Sequence, residues 1–149
     1  EKAMNILFFL TPKTDVVSLM DTDSVYTVLE TLKKYRYASV PILNEAGNYV
    51  GTVKEGDLLW YIDSMKKYDL ESLKEINIME VPRRSNNDTA KIDANVEDLL
   101  GVLINQNFVP VIDDAGIFIG IVKRREVISY TYDLLKGKDQ SLDDMFNKN

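Results

Sequence analysis

The sequence predicts an α/β fold of the α+β kind: two β-α-β-β-α units in tandem, packed as a pseudo-two-fold pair. Three observations predict it. First, Val40-Pro41-Ile42-Leu43-Asn44-Glu45-Ala46-Gly47-Asn48-Tyr49-Val50-Gly51-Thr52-Val53-Lys54 returns 69 positions later as Val109-Pro110-Val111-Ile112-Asp113-Asp114-Ala115-Gly116-Ile117-Phe118-Ile119-Gly120-Ile121-Val122-Lys123. Seven of the fifteen positions are identical, where unrelated chains of ordinary composition share roughly one; this is a duplication. Second, each copy reads as two apolar strands around a short turn ending in Gly47 or Gly116, the signature of a hairpin. Third, an amphipathic helix precedes each hairpin. Val25, Val28, Leu29 and Leu32 in one copy, and Val96, Leu99, Leu100 and Leu103 in the other, share the spacing i, i+3, i+4, i+7.

Taken in order, each unit opens with a short strand. A helix follows, with Thr22 or Asp93 as the expected N-cap. The hairpin strands are expected at 39–43 and 49–53, then at 108–112 and 117–122. A closing helix spans 55 to about 67, with Leu58, Leu59 and Ile62 on its apolar face, and 124 to about 135, with Val127, Ile128 and Leu134. The helix offset is 71 rather than 69, so copy two is two residues shorter around Tyr35-Arg36-Tyr37. The expected organisation is repeat one over 11–66, a charged linker over 67–80 with a helix at 70–76, repeat two over 81–136, and a polar tail over 137–149. Leu142, Met145 and Phe146 are the tail residues able to dock. Units of about 60 residues bury too little surface to be robust alone, so the copies are expected to pack on each other.

Composition narrows the chemistry. The 149 residues include neither Cys nor His, which removes thiolate nucleophiles, Cys-based zinc sites and the usual general base near neutral pH. The acidic pairs Asp21/Asp23, Asp113-Asp114 and Asp143-Asp144 suit turns and surfaces better than metal. No enzyme, metal site or cofactor is expected. A net charge of −6 argues against nucleic acid as partner, and no apolar run approaches the roughly 20 residues needed to span a bilayer. A cytoplasmic protein is expected.

Pro in the first hairpin strand, Gly in the turn, and Gly-Thr-Val-Lys-Glu-Gly-Asp (51–57) and Gly-Ile-Val-Lys-Arg-Arg-Glu (120–126) entering the last helix resemble the CBS (cystathionine-β-synthase) domain pair, or Bateman module. The resemblance runs from about residue 11 to about 135. It implies a regulatory protein, not an enzyme, binding an adenine nucleotide in clefts between the repeats. The family's ribose-binding motif places Asp57 and Glu126 against ribose hydroxyls, a role a carboxylate suits as a double acceptor. Both copies carry Lys (Lys54, Lys123) where the family often has Ser or Thr, which offers a phosphate a cation instead.

By the same resemblance one cleft joins Lys123, Arg124, Arg125 and Glu126 to Val16, Val17, Tyr37, Ala38, Ser39 and Pro41. The second joins Lys54 and Asp57 to Arg83, Arg84, Asn107, Phe108 and Pro110. The first is the stronger candidate, because its basic residues sit where a helix begins and Arg grips phosphate in a bidentate way. Tyr37-Ala38-Ser39-Val40-Pro41, Val81-Pro82-Arg83, Ile104 to Val109 and Lys123-Arg124-Arg125 are also similar to stand-alone CBS-pair proteins of Gram-positive bacteria. That likeness implies cyclic di-AMP as a ligand beside AMP or ATP, a homodimer, and an unidentified regulated protein as partner.

Plainer readings stand beside these. The basic triplet also reads as a solvated helix start, Arg83-Arg84 as a loop, and Asp57 and Glu126 as acids suited to a helix N-terminus. Most tyrosines and Trp60 read as core or interface aromatics, with Tyr37 the candidate for base stacking. The alternative function is a ligand-free dimerisation module with vestigial clefts.

Overall fold

The computed structural model describes residues 5–66, 69–84 and 86–137. The duplication is visible as two sheets, each with a parallel pair followed by a hairpin. In the first, β2 (Leu19–Met20) lies parallel to β3 (Ser39–Leu43), which pairs antiparallel with β4 (Tyr49–Lys54). In the second, β5 (Ala90–Lys91) lies parallel to β6 (Phe108–Ile112), which pairs with β7 (Phe118–Lys123). A further strand, β1 (Leu10–Pro12), lies outside repeat two in sequence yet pairs antiparallel with β7. The two hairpins agree in detail. Asn44 and Asp113 accept from the backbone N–H of Asn48 and Ile117 across the turn. Gly47 and Gly116 take φ of 90° and 83°, the left-handed region a side chain resists.

Helices α1 (Val25–Tyr35) and α4 (Val96–Leu103) carry the predicted stripes, and α4 is the shorter, as the offset implies. Their caps are Ser24 and Asn95 rather than Thr22 and Asp93. Each helix begins at its first apolar residue, so the capping side chain is the one immediately before it; Ser24 Oγ accepts from Thr27 N at 3.1 Å and Asn95 Oδ1 from Asp98 N at 2.8 Å. Helix α2 (Glu55–Asp63) stops short of 67, and α5 (Arg124–Gly137) runs past 135. The linker helix expected at 70–76 is a single turn, α3 (Leu70–Leu73). The chain leaves it because Ile76 O accepts from Val25 N and Ile78 N donates to Asp23 O, tying the segment to the start of α1. The tail residues Leu142, Met145 and Phe146 lie outside the described residues.

The segment between the repeats is therefore no loose linker. Leu73, Ile78 and Val81 are buried in the first core with Leu19, Val25, Val28, Val40 and Val53. Ile6 and Phe9, ahead of repeat one, are buried in the second core with Leu99, Leu103, Val109 and Val122. Each core is completed by the segment preceding the other unit's hairpin. Matching bridges hold the crossing: Asn5 with Asn95, and Asn77 with Ser24. Between the sheets a third cluster, Leu43, Phe108, Phe118 and Ile121, seals the pseudo-two-fold seam, with Val16 and Tyr49 against it. On the axis Asn48 bridges Ile117, and Phe118 N donates to Gly47 O at 2.9 Å. Among the described residues no helix is long and apolar enough to cross a membrane.

Candidate functional site

Packing two curved sheets about one axis leaves two seams, and the residues at equivalent positions decide what each becomes. One seam is open. A cavity of 570 Å³ is lined by Asp15, Val16, Val17, Tyr37, Ala38, Ser39, Pro41, Asn107, Phe108, Ile121, Lys123, Arg125, Glu126 and Ser129. That volume lies within the range of about 300–1,000 Å³ usual for small-molecule sites. Its floor is apolar: Val16, Val17, Pro41, Phe108 and Ile121. The half-exposed ring of Tyr37 lines it too, stacked on Tyr35 with centroids 5.6 Å apart. Its polar side comes from the end of β7 and the first turns of α5, where Lys123, Arg125, Glu126 and Ser129 face inward. Among the described residues the side chains of Lys123, Arg125 and Glu126 have no hydrogen-bond or ion-pair partner. Two cations at the start of a fourteen-residue helix, beside an unengaged carboxylate, can take an anionic group and a pair of hydroxyls side by side.

Of the residues expected in this cleft, Arg124 alone stands away from the cavity. Its backbone N–H donates to Asn107 O at 2.8 Å. Its guanidinium donates to Asn107 Oδ1 and, at 3.3 Å, to Leu103 O. A cation suits the carbonyl end of α4, and the side chain is held there, bordering instead a shallower hollow with Ile128 and Tyr132.

The second seam is not the mirror image of the first. Asp57, only 8% exposed, turns its carboxylate onto backbone. Oδ2 accepts from Lys54 N at 2.9 Å and Oδ1 from Arg84 N at 3.3 Å. The Arg83 guanidinium lies so close over Gly51 that a Cβ there would overlap it and Asn86. Arg83 Nη1 is buried and has no hydrogen-bond partner.

Around Arg83 the lining is polar and laced together. Asn86 Oδ1 accepts from Thr52 N at 3.3 Å, and Asn87 Nδ2 donates to Phe108 O at 3.2 Å. Gln106 Nε2 donates to Asp88 O and Phe108 O at 3.1 and 2.9 Å, and its Oε1 accepts from Asp88 N at 2.6 Å. Tyr49 shares a 2.5 Å hydrogen bond with Thr52 Oγ1. Burial pushes the Tyr49 phenol's pKa up, against the opposing pull of the Thr52 and Asn87 hydrogen bonds and the Arg83 charge.

The second-cleft residues therefore divide. Asp57, Lys54, Arg83 and Arg84 meet at this seam, with Arg84 contributing its backbone N–H and not its exposed side chain. Pro110 is buried in β6 opposite Ile121. Asn107 instead lines the open cavity, and Phe108 belongs to both seams: it lines the cavity and packs with Val16, while its carbonyl accepts from Asn87 and Gln106.

Asp15, Ile121 and Ser129 were absent from the sequence-based set. Two of them carried a signal: Ile121 follows the motif glycine Gly120, and Ser129 lies three residues after Glu126, on the same helical face. Among the described residues no group of His, Cys, Asp or Glu is arranged to hold a metal ion.

Two hairpin-centred units sharing a seam define a tandem-repeat α/β module. A family model for the CBS domain matches residues 9–64 and 78–133, and the chain belongs to the CBS-domain family. No curated protein matches it. Among solved structures it is similar to a conserved hypothetical protein of Geobacillus kaustophilus (TM-score 0.80, 26% identity, 89% of this chain and 99% of that one). It is similar also to the CbpB protein of Listeria monocytogenes in complex with c-di-AMP (TM-score 0.77, 21% identity, 88% and 97%). A third is CBSX2 in complex with AMP (TM-score 0.70, 22% identity, 87% and 97%). These likenesses show the fold.

Proposed function

We propose that this chain is a regulatory adenine-nucleotide-binding protein whose site is the open seam. The carrying observation is one cavity that joins an apolar floor, an unengaged carboxylate and two cationic side chains without partners. A purine lies against Val16, Val17 and Tyr37, Glu126 accepts from the ribose hydroxyls, and Lys123 and Arg125 meet phosphate. The c-di-AMP bound to the CbpB neighbour and the AMP bound to CBSX2 support an adenine nucleotide. Cyclic di-AMP, AMP and ATP are the ligands to compare. Because the walls come from both repeats, a ligand that prefers one angle between them shifts that angle and whatever partner reads it.

Calorimetry with cyclic di-AMP, AMP and ATP tests this directly. Arg125→Ala should weaken binding by about 1.5–3 kcal/mol, a charged hydrogen bond lost. Arg124→Ala, whose guanidinium is engaged elsewhere, should change affinity less than about threefold. No adenine nucleotide binding below millimolar concentration refutes the proposal.

A second reading, an interaction module, is favoured by exposed apolar side chains on α2 and α5: Leu59 at 58%, Trp60 at 68%, Ile128 at 59% and Tyr132 at 56%. Light scattering with and without nucleotide separates the two, since the module reading requires a dimer indifferent to nucleotide.

A further inference from the structure

Comparing the seams position by position shows what closes the second. Strands β2 and β5 pair with equivalent residues of β3 and β6 at an offset of 71 residues, so Asn87 stands where Val16 does and Asp88 where Val17 does. By the 69-residue offset Gln106 replaces Tyr37, Thr52 replaces Ile121 and Asp57 replaces Glu126. Each of these wall residues of the open cavity has a polar counterpart, and each counterpart is hydrogen-bonded. The acid that stands unengaged in one seam accepts, in the other, the backbone N–H of Arg84. The two buried side-chain polar atoms without partners among the described residues, Arg83 Nη1 and Asn87 Oδ1, are both in this seam. The cover is therefore imperfectly satisfied, as a displaceable tenant is and a settled core is not.

Resting on the nucleotide reading of the open seam, we propose that the second seam is a latent nucleoside site covered by the chain's own residues. The Arg83 side chain and the Arg84 N–H stand where ligand groups would, so the protein takes one nucleotide per chain instead of two. Asp57 is the group an incoming ribose would have to win from Arg84. Asn86 and Asn87 hold the cover down through Thr52 and Phe108.

The chain has no cysteine, so a single introduced thiol reports each seam without any nucleotide. Ile121→Cys faces the open cavity, and Thr52→Cys occupies the same position in the covered seam. Under native conditions a small maleimide should label Ile121→Cys at least about tenfold faster, protection being set by local opening. Adding Arg83→Ala with Asn86→Ala should accelerate Thr52→Cys by a similar factor and leave the Ile121→Cys rate unchanged. That unchanged rate also shows that the fold is intact. If the pair of substitutions unfolds the chain, Arg83→Ala alone carries the same comparison. Equal rates in the parent background, or Thr52→Cys still protected once the cover is removed, would overturn the proposal.

Equilibrium dialysis with cyclic di-AMP and with AMP should give one nucleotide per parent chain and a second, weaker one in the Arg83→Ala/Asn86→Ala protein. Two in the parent, or one in the parent and still only one in the variant, would also overturn it. A labelling contrast with no nucleotide bound by either protein refutes the proposed function but leaves the self-covered seam standing, so the two failures are distinguishable.

Discussion

The two seams of this molecule share one backbone plan and have opposite fates. At Val16, Val17, Tyr37 and Ile121 the open seam presents side chains that neither donate nor accept toward their neighbours, and space remains between the sheets. At Asn86, Asn87, Gln106 and Thr52 the other seam presents side chains that reach across and bond to backbone, and the sheets are stitched together. Duplication supplies the geometry of a site twice. A handful of polar side chains then decides which copy keeps an open cavity. A repeat motif is thus a poor guide to which seam stays open: Asp57 matches the family pattern more faithfully than Glu126, and it is the acid already engaged.

The largest effect that sharpens this comparison lies at the two motif glycines. A Cβ on Gly120 would press into Thr11 O, a backbone atom held by the β1–β7 pairing that cannot move aside. Gly120→Ala should cost about 3 kcal/mol in urea unfolding, in the range of strain at a closely approached backbone. A Cβ on Gly51 meets the far ends of Arg83 and Asn86, which can swing away. Gly51→Ala should cost about 1 kcal/mol, and equal losses at both positions would erase the distinction between a backbone neighbour and a side-chain cover.

Next in size is the pair of acids. Asp57→Asn sets an amide against two backbone donors and should lose about 1–2 kcal/mol of stability. Glu126→Gln should leave the melting temperature nearly unchanged yet weaken nucleotide binding about tenfold, by calorimetry. The reverse pattern would exchange the roles of the two seams.

The smallest effect is a pH dependence. Burial raises the folded-state pKa of Tyr49 above its ordinary value of 10.0. The folded state therefore holds its proton after the unfolded chain has released it. Its contribution is complete below pH 10 and declines as pH rises toward the folded value. Tyr49→Phe should flatten that alkaline loss in thermal melts. Phe118, the equivalent ring in the other hairpin, has no proton to lose. An unchanged slope would place the titration elsewhere.

Much of this architecture was legible in the chain. The hairpins declare themselves through paired repeats and turn glycines, and α1 and α4 through apolar spacing, because those signals are local. Family membership follows from the same motifs in register. The cap positions at Ser24 and Asn95 were missed by two residues, since Thr22 and Asp93 are equally good capping types and the choice is made where the helix begins. The membership of Leu73, Ile78, Ile6 and Phe9 in the opposite cores was not legible, because short apolar segments carry no address. Nor was the assignment of Phe108 and Asn107, whose side depends on how β6 crosses the axis. The diversion of Arg124 to Asn107 and Leu103 O depends on how α4 ends, a tertiary fact that neighbouring Arg125 does not share.

The exchange of segments between cores also sets an order of events during synthesis. Ile6 and Phe9 leave the ribosome ahead of their burial partners Leu99, Leu103 and Val122, which arrive about a hundred residues later. At about 5–20 residues per second these two apolar side chains wait several seconds without a home. Repeat one, whose core closes with Val81, can assemble in the meantime. The segment made ahead of repeat one is put in place after it.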